Sequence, residues 1–205
     1  AFRCFYCIIV IFYALKSTIM RKWIIIAMVM AVSCDLFQLR QPEPPTGGMS
    51  WVEPDSAEKV LRNMEYAYQY FMLDNYMQCF DSSSFRFYAD ESLLNGPHAY
   101  LYRDWDYEKE RNQTEILFTS YLKPQSPPFL IIAMDSGQTF SDSATIFAHY
   151  RLVVQLRDGR ELEARGASIF LMRKDPANGL WSISEWWDFK SAPALSWAEI
   201  KALDF

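Results

Sequence analysis

Four long apolar-rich runs between Phe129 and Phe189, separated by turn signals, constrain the fold of this chain more than any other feature. The clearest is residues 144–156. Ile146, Ala148, Tyr150, Leu152 and Val154 share one face, while His149, Arg151 and Gln155 lie opposite, the period of two of a half-buried strand. Asp158-Gly159 is a hairpin signal, so residues 161–174 return antiparallel, with Gly166 expected as a bulge. Pro176-Ala177-Asn178-Gly179 turns the chain into a further strand, 180–189, and 129–134 supplies the remaining one. Such a meander needs a second layer to cover one of its faces.

The preceding sequence supplies that layer. Asp55 reads as an N-cap with Glu58 three residues on, a capping-box pattern. Ala57, Val60, Leu61, Met64, Ala67, Tyr68 and Phe71 then recur at helical spacing, predicting a helix to about residue 72. Residues 75–80 read as a second short helix and 85–88 as a short strand. A third helix is expected over 104–121, with acids in its first turns and Trp105, Ile116, Leu117 and Phe118 making apolar contacts. A last helix is expected over 198–205, packed back through Trp197, Ile200, Leu203 and Phe205. Helices followed by a run of antiparallel strands give an α+β class.

The N-terminal region is of another kind. Arg21 and Lys22 precede an uncharged apolar stretch, 23–32, and then Ser33 and Cys34, the layout of a secretory signal. The stretch is short of the roughly 20 apolar residues that span a bilayer. Ala31-Val32-Ser33-Cys34 resembles the bacterial lipobox, usually Leu-Ala-Gly/Ser-Cys, with Ala31 standing where Leu is usual. The resemblance implies a diacylglyceryl group on Cys34, which becomes the first mature residue. Residues 38–50, QLRQPEPPTGGMS, cannot bury enough apolar surface to fold and read as a tether. The expected organisation is a gene-model over-extension (1–19), a lipoprotein signal peptide (20–33), a lipidated Cys with its tether (34–54) and a folded domain (55–205). The alternative for the apolar start is a hairpin of two short membrane segments. Cys4 and Cys7 have C-x-x-C spacing but no second pair to complete a metal or redox motif. The expected address is the cell membrane, lipid-anchored and facing the periplasm or the exterior.

Residues 1–33 hold four basic side chains and no acids, so removing them moves the net charge from −5 to −9. An acidic domain is a poor partner for nucleic acid or an anionic bilayer surface. With Cys34 lipidated, Cys79 is left unpaired and reads as a small buried apolar residue.

The order of elements resembles the NTF2-like, or SnoaL-like, superfamily. The residues that carry the likeness are Ala67-Tyr68 on the helix, Tyr150 on a strand, Gly166-Ala167-Ser168-Ile169-Phe170 on the next, and Trp181-Ser182-Ile183 through Trp187-Asp188 on the last. The resemblance spans roughly residues 55–190. It implies a cone, a curved sheet wrapped round the first helix, with a pocket at its wide end. It also implies dimerisation through the outer sheet face, where Phe147 and Val153 would lie. Members of the superfamily include isomerases, dehydratases, cyclases and non-catalytic binding domains, so the fold alone does not choose a function.

Tyr68, Trp105, Trp187 and Asp188 are the candidate pocket residues. Asp188, beside Trp186 and Trp187, is either a pocket base with a raised pKa, partnered by a Tyr such as Tyr68, or a strand-end carboxylate bonded to a backbone N–H. His149 falls on the less apolar face and His98 in a loop. Asp104, Asp106, Glu108 and Glu110 read as dipole-favouring helix acids rather than metal ligands. No metal or cofactor is expected, and no residue is assigned as catalytic. The expected function is a membrane-anchored module that binds a small apolar or aromatic ligand, or a partner, without catalysis. The alternative is an isomerase or dehydratase type of enzyme using a pocket Asp and Tyr.

Overall fold

The computed structural model describes residues 51–203, so the expected signal, lipidation site and most of the tether lie outside the described residues. The first helix, α1 (Ala57–Gln69), buries the predicted stripe Ala57, Val60, Leu61, Met64, Ala67 and Tyr68. Its N-cap is Ser56, whose side chain accepts from Lys59 N–H, rather than Asp55. Phe71 ends it at φ 56°. A short helix, α2 (Leu73–Met77), leads to a three-residue strand, β1 (Arg86–Tyr88), and a one-turn helix, α3 (Glu91–Leu94).

The expected helix over 104–121 begins later. Asp104 lies at φ 49°, outside helical space, and Trp105–Asp106 form a two-residue strand, β2, paired with β1. Asp106 is the N-cap of α4 (Tyr107–Ile116), accepting from Lys109 N–H at 3.0 Å. The chain then widens into a π turn, Leu117–Tyr121, which buries Leu117 and Phe118.

The long strands are β3 (Phe129–Thr139), β4 (Ser143–Gln155), β5 (Glu161–Lys174) and β6 (Trp181–Lys190), followed by α5 (Trp197–Lys201). They form one six-stranded sheet in the order β2-β1-β6-β5-β4-β3. All neighbours are antiparallel except β1 and β6. β3 runs beyond its expected end because a register shift after Met134 lets polar residues continue the pairing. The alternation of β4 is as expected: Ile146, Ala148, Tyr150, Leu152 and Val154 are all buried.

Gly166 is not a bulge. It pairs in register with Tyr150, and a Cβ there would stand 2.5 Å from the Tyr150 hydroxyl and 2.2 Å from the Phe189 carbonyl. Its lack of a side chain is what lets Tyr150 lie flat across the sheet. The bulge is on β6 instead. Leu171 pairs with Glu185 and Met172 with Ile183, skipping Ser184. That extra residue reverses the parity of the strand, so Trp186 and Asp188 face inward and Trp187 and Phe189 outward.

The helices cover the concave face. Gln69 of α1 donates to the Leu130 carbonyl at 3.0 Å. Asn63, buried, holds both the N–H and the carbonyl of Val52, at 3.0 and 2.7 Å, which seats the start of the domain. The interior between the layers is filled with side chains; Trp105, Trp186, Trp197, Tyr68, Tyr76 and Phe170 are among the largest that are fully buried.

Candidate functional site

Two polar clusters lie inside this aromatic core. The first is built on Asp188. Its side chain leaves β6 toward the interior and is 1% exposed. The Tyr150 hydroxyl, from β4 two strands away, donates to one carboxylate oxygen at 2.6 Å. The Ala198 N–H, in the first turn of α5, donates to the other at 2.8 Å. The Trp197 N–H in turn donates to the Tyr150 oxygen at 2.9 Å. Asp188 and Tyr150 therefore hold the unpaired N–H groups at the start of α5. Ser196 completes the cap by a reciprocal pair of bonds with Glu199. Burial pushes the Asp188 carboxyl up to about 6, against the lowering effect of its hydrogen bonds with Tyr150 and Ala198. Burial and the facing carboxylate push the Tyr150 hydroxyl well above the usual tyrosine range.

The second cluster is an ion pair between Lys201, at the end of α5, and Glu110 of α4. Both side chains are without solvent exposure, and the ammonium lies 2.9 and 3.1 Å from the two carboxylate oxygens. Glu110 also accepts from the Tyr76 hydroxyl at 2.6 Å, Trp105 Nε1 at 2.8 Å and Thr114 Oγ1 at 3.3 Å. The Lys201 nitrogen stands 3.9 Å from the ring centre of Phe87 and 4.0 Å from that of Trp186, with Trp105 at 5.2 Å and Trp197 at 6.0 Å. The sheet register produces these walls, because Trp105, Phe87 and Trp186 are consecutive cross-strand partners on β2, β1 and β6. Burial pulls the Lys201 ammonium below the usual lysine range, opposed by Glu110 and, farther off, by Asp188.

Of the four expected pocket residues, Asp188, Tyr68 and Trp105 are brought into this interior. Tyr68 does not touch Asp188; its hydroxyl accepts from Trp197 Nε1 at 3.3 Å, and Tyr150 is the tyrosine at the carboxylate. Trp105 belongs to the Glu110 cluster. Trp187 is excluded by the β6 bulge: it lies on the outer face, 38% exposed, stacked on Tyr88 at 4.0 Å. His149 is exposed on that outer face, its Nδ1 in contact with the Asp135 carboxylate. Cys79 is buried, and burial holds its thiol well above the usual range. Among the described residues, no three His, Cys, Asp or Glu side chains cluster in a way that would hold a metal.

The reading of Glu110 as a dipole-favouring helix acid misses its buried role, and Lys201 is not among the expected site residues, although a signal for each exists. Lys201 follows Trp197 by four residues, and Glu110, Thr114 and Leu117 share one helical stripe, so each charge lies on an inward face. Two clefts open on the surface. One of about 740 Å³ is lined by Trp51, Phe80, Arg173 and Trp181, and one of about 500 Å³ over β1 and β2 by Arg86, Tyr102 and Asp104 among others. Among the described residues, Ser84 Oγ is the one buried side-chain polar atom without a hydrogen-bond partner. The interior clusters are thus internally satisfied.

No family model matches the sequence, and no curated protein matches it. Solved structures do. A candidate aromatic ring hydroxylase from Novosphingobium aromaticivorans aligns with a TM-score of 0.54 at 13% identity, over 70% of this chain and 92% of that one. A conserved protein from Planctomyces limnophilus aligns at 0.52 and 14%, over 63% and 89%. An NTF-2 like protein of unknown function from Shewanella oneidensis aligns at 0.47 and 16%, over 63% and 93%. Likeness at these identities is likeness of fold alone: the domain is α+β, with helices seated in the concave face of a curved, mainly antiparallel sheet.

Proposed function

We propose that this chain is a lipid-anchored protein of the cell envelope whose NTF2-like domain binds a ligand or partner and does no chemistry at Asp188. One observation carries the reading: both Asp188 oxygens accept from the protein's own groups, Tyr150 and Ala198, inside a packed interior. A general base must reach a substrate proton, and here that reach is spent on seating α5. The lipobox resemblance at Cys34 and the tether after it support the address. A diacylglyceryl group supplies the two acyl chains that stable anchoring needs. In a bacterial host, Cys34→Ser moves the protein from the membrane fraction to the soluble fraction. Unchanged membrane retention of that variant would count against the anchor.

A second copy of the chain is the partner that the outer sheet face fits. Phe129, Ile131, Phe147, Trp187 and Phe189 are 38–45% exposed there. Phe147, Ile169, Trp187 and Tyr88 form one cross-strand row, an apolar patch of the kind that marks an association surface. Sedimentation of the Cys34→Ser protein is expected to give twice the chain mass, and Phe147→Glu with Trp187→Glu a single mass. A single mass before substitution would remove the dimer.

The 2.6 Å contact between Tyr150 and a carboxyl raised to about 6 favours a second reading, an isomerase or dehydratase type of enzyme. A turnover abolished by Asp188→Asn without loss of thermal stability would decide for it and against the binding module.

A further inference from the structure

A charged pair is not needed to fill a core, since apolar side chains of the same volume hold a fold as well or better. Yet Lys201 and Glu110 meet, fully buried, in a dense cluster of rings. The two halves of the pair are built differently. Glu110 is fixed from three elements by Tyr76, Trp105 and Thr114, none of which belongs to α5. Phe87, Trp186 and Trp105 wall the same point from the sheet. A carboxylate floor under electron-rich ring faces is the chemistry that takes an ammonium ion. The body of the domain thus carries a complete receptor, and the cation in it is delivered by a five-residue helix at the end of the described chain.

α5 is fastened unevenly. Its polar contacts with the body outside the box come from its first three residues: Trp197 to Tyr150 and Tyr68, Ala198 to Asp188, and Glu199 to Lys190. At its far end the ion pair of Lys201 is the polar attachment. Phe87 and Trp105, although buried, are also among the residues that line the open cleft over β1 and β2.

We propose that the Glu110 box is a binding site for a primary alkylammonium group, and that Lys201 is its built-in occupant, filling the site until the end of α5 lifts. This rests on the reading of the domain as a binding module and names its ligand class. A primary ammonium fits because the site uses two N–H donors, one to each oxygen of Glu110; a quaternary ion has none to give. A tethered occupant has a high effective concentration, so free amine leaves the unsubstituted protein unchanged.

Lys201→Ala in the full chain removes three carbons and the nitrogen, the atoms of n-propylammonium. Thermal unfolding is followed with n-propylammonium chloride, with propan-1-ol as the neutral counterpart, and with tetramethylammonium as a cation without donors. Saturating propylammonium is expected to raise the melting temperature of the variant by about 5 °C or more. The other two additives should not, and the gain should vanish when Glu110→Gln is added. If Lys201→Ala does not fold unaided, refolding from urea with the same additives reads the same property, folded protein being recovered only with propylammonium. Equal effects of propan-1-ol or tetramethylammonium, or no effect of propylammonium in either format, overturn the inference. Such a failure leaves the non-catalytic reading standing, because that reading falls only to a turnover lost in Asp188→Asn without loss of stability.

Discussion

Glu110→Gln lowers the stability of the domain by about 3–5 kcal/mol at neutral pH. The side chain keeps its size, so no cavity forms and the loss is electrostatic. Lys201 is left as a buried cation with no carboxylate in contact, among rings that attract it but cannot replace the lost anion. The amide also fails the donors that Glu110 serves. Tyr76 and Trp105 each give a hydrogen to a different carboxylate oxygen, and Gln offers one accepting oxygen with an NH₂ in place of the other. Urea denaturation at pH 7 checks the value. A loss below about 1 kcal/mol, the size typical of an exposed ion pair, would mean that the pair is solvated in solution.

Asp188→Ala is expected to cost about 2–3 kcal/mol, since it leaves the Ala198 N–H and the Tyr150 hydroxyl without their buried acceptor. The loss depends on pH. The Asp188 carboxyl stands at about 6 in the fold and at its ordinary value near 3.8 in the unfolded chain. A raised pKa means that the folded state holds the proton more tightly. The resulting stabilisation is fully present below pH ~4 and is lost as pH rises through ~6, an amount of about 3 kcal/mol. The intact protein therefore gains from this group on going from pH 7 to pH 5, and Asp188→Ala does not, so the variant's deficit is larger at pH 5. Equal deficits at the two values would place Asp188 in contact with water and reopen it as an accessible base.

The strands were legible because one apolar face against one polar face leaves a period that needs no tertiary information. β5 has its expected bounds, and β4 departs from them by one residue at each end. What the sequence did not show is where one strand departs from its period. The bulge at Ser184 inverts the β6 residues that follow it, and on strict alternation Trp187 and Asp188 could never share a pocket. Glycine in a strand, as at Gly166, marks either a bulge or a close approach. Only the register with Tyr150 separates the two. The charged box was hidden for a related reason. An acid in the first turn of a helix satisfies the helix dipole whichever way it faces, and Lys201 is one basic residue near the end of the chain until α5 is folded against β6. Burial of a charge is a property of the partner that meets it, and Glu110 and Lys201 are 91 residues apart.

Glu110 and Lys201 act as one unit around which the aromatic interior is set. A double-mutant cycle of Glu110→Gln and Lys201→Met, read by urea denaturation at pH 7, tests this most directly. A coupling of about 2–3 kcal/mol is expected, with the double variant more stable than Glu110→Gln alone because methionine removes the stranded cation. Losses that add to within about 0.5 kcal/mol would contradict this coupling, since the two charges would then be independent of each other.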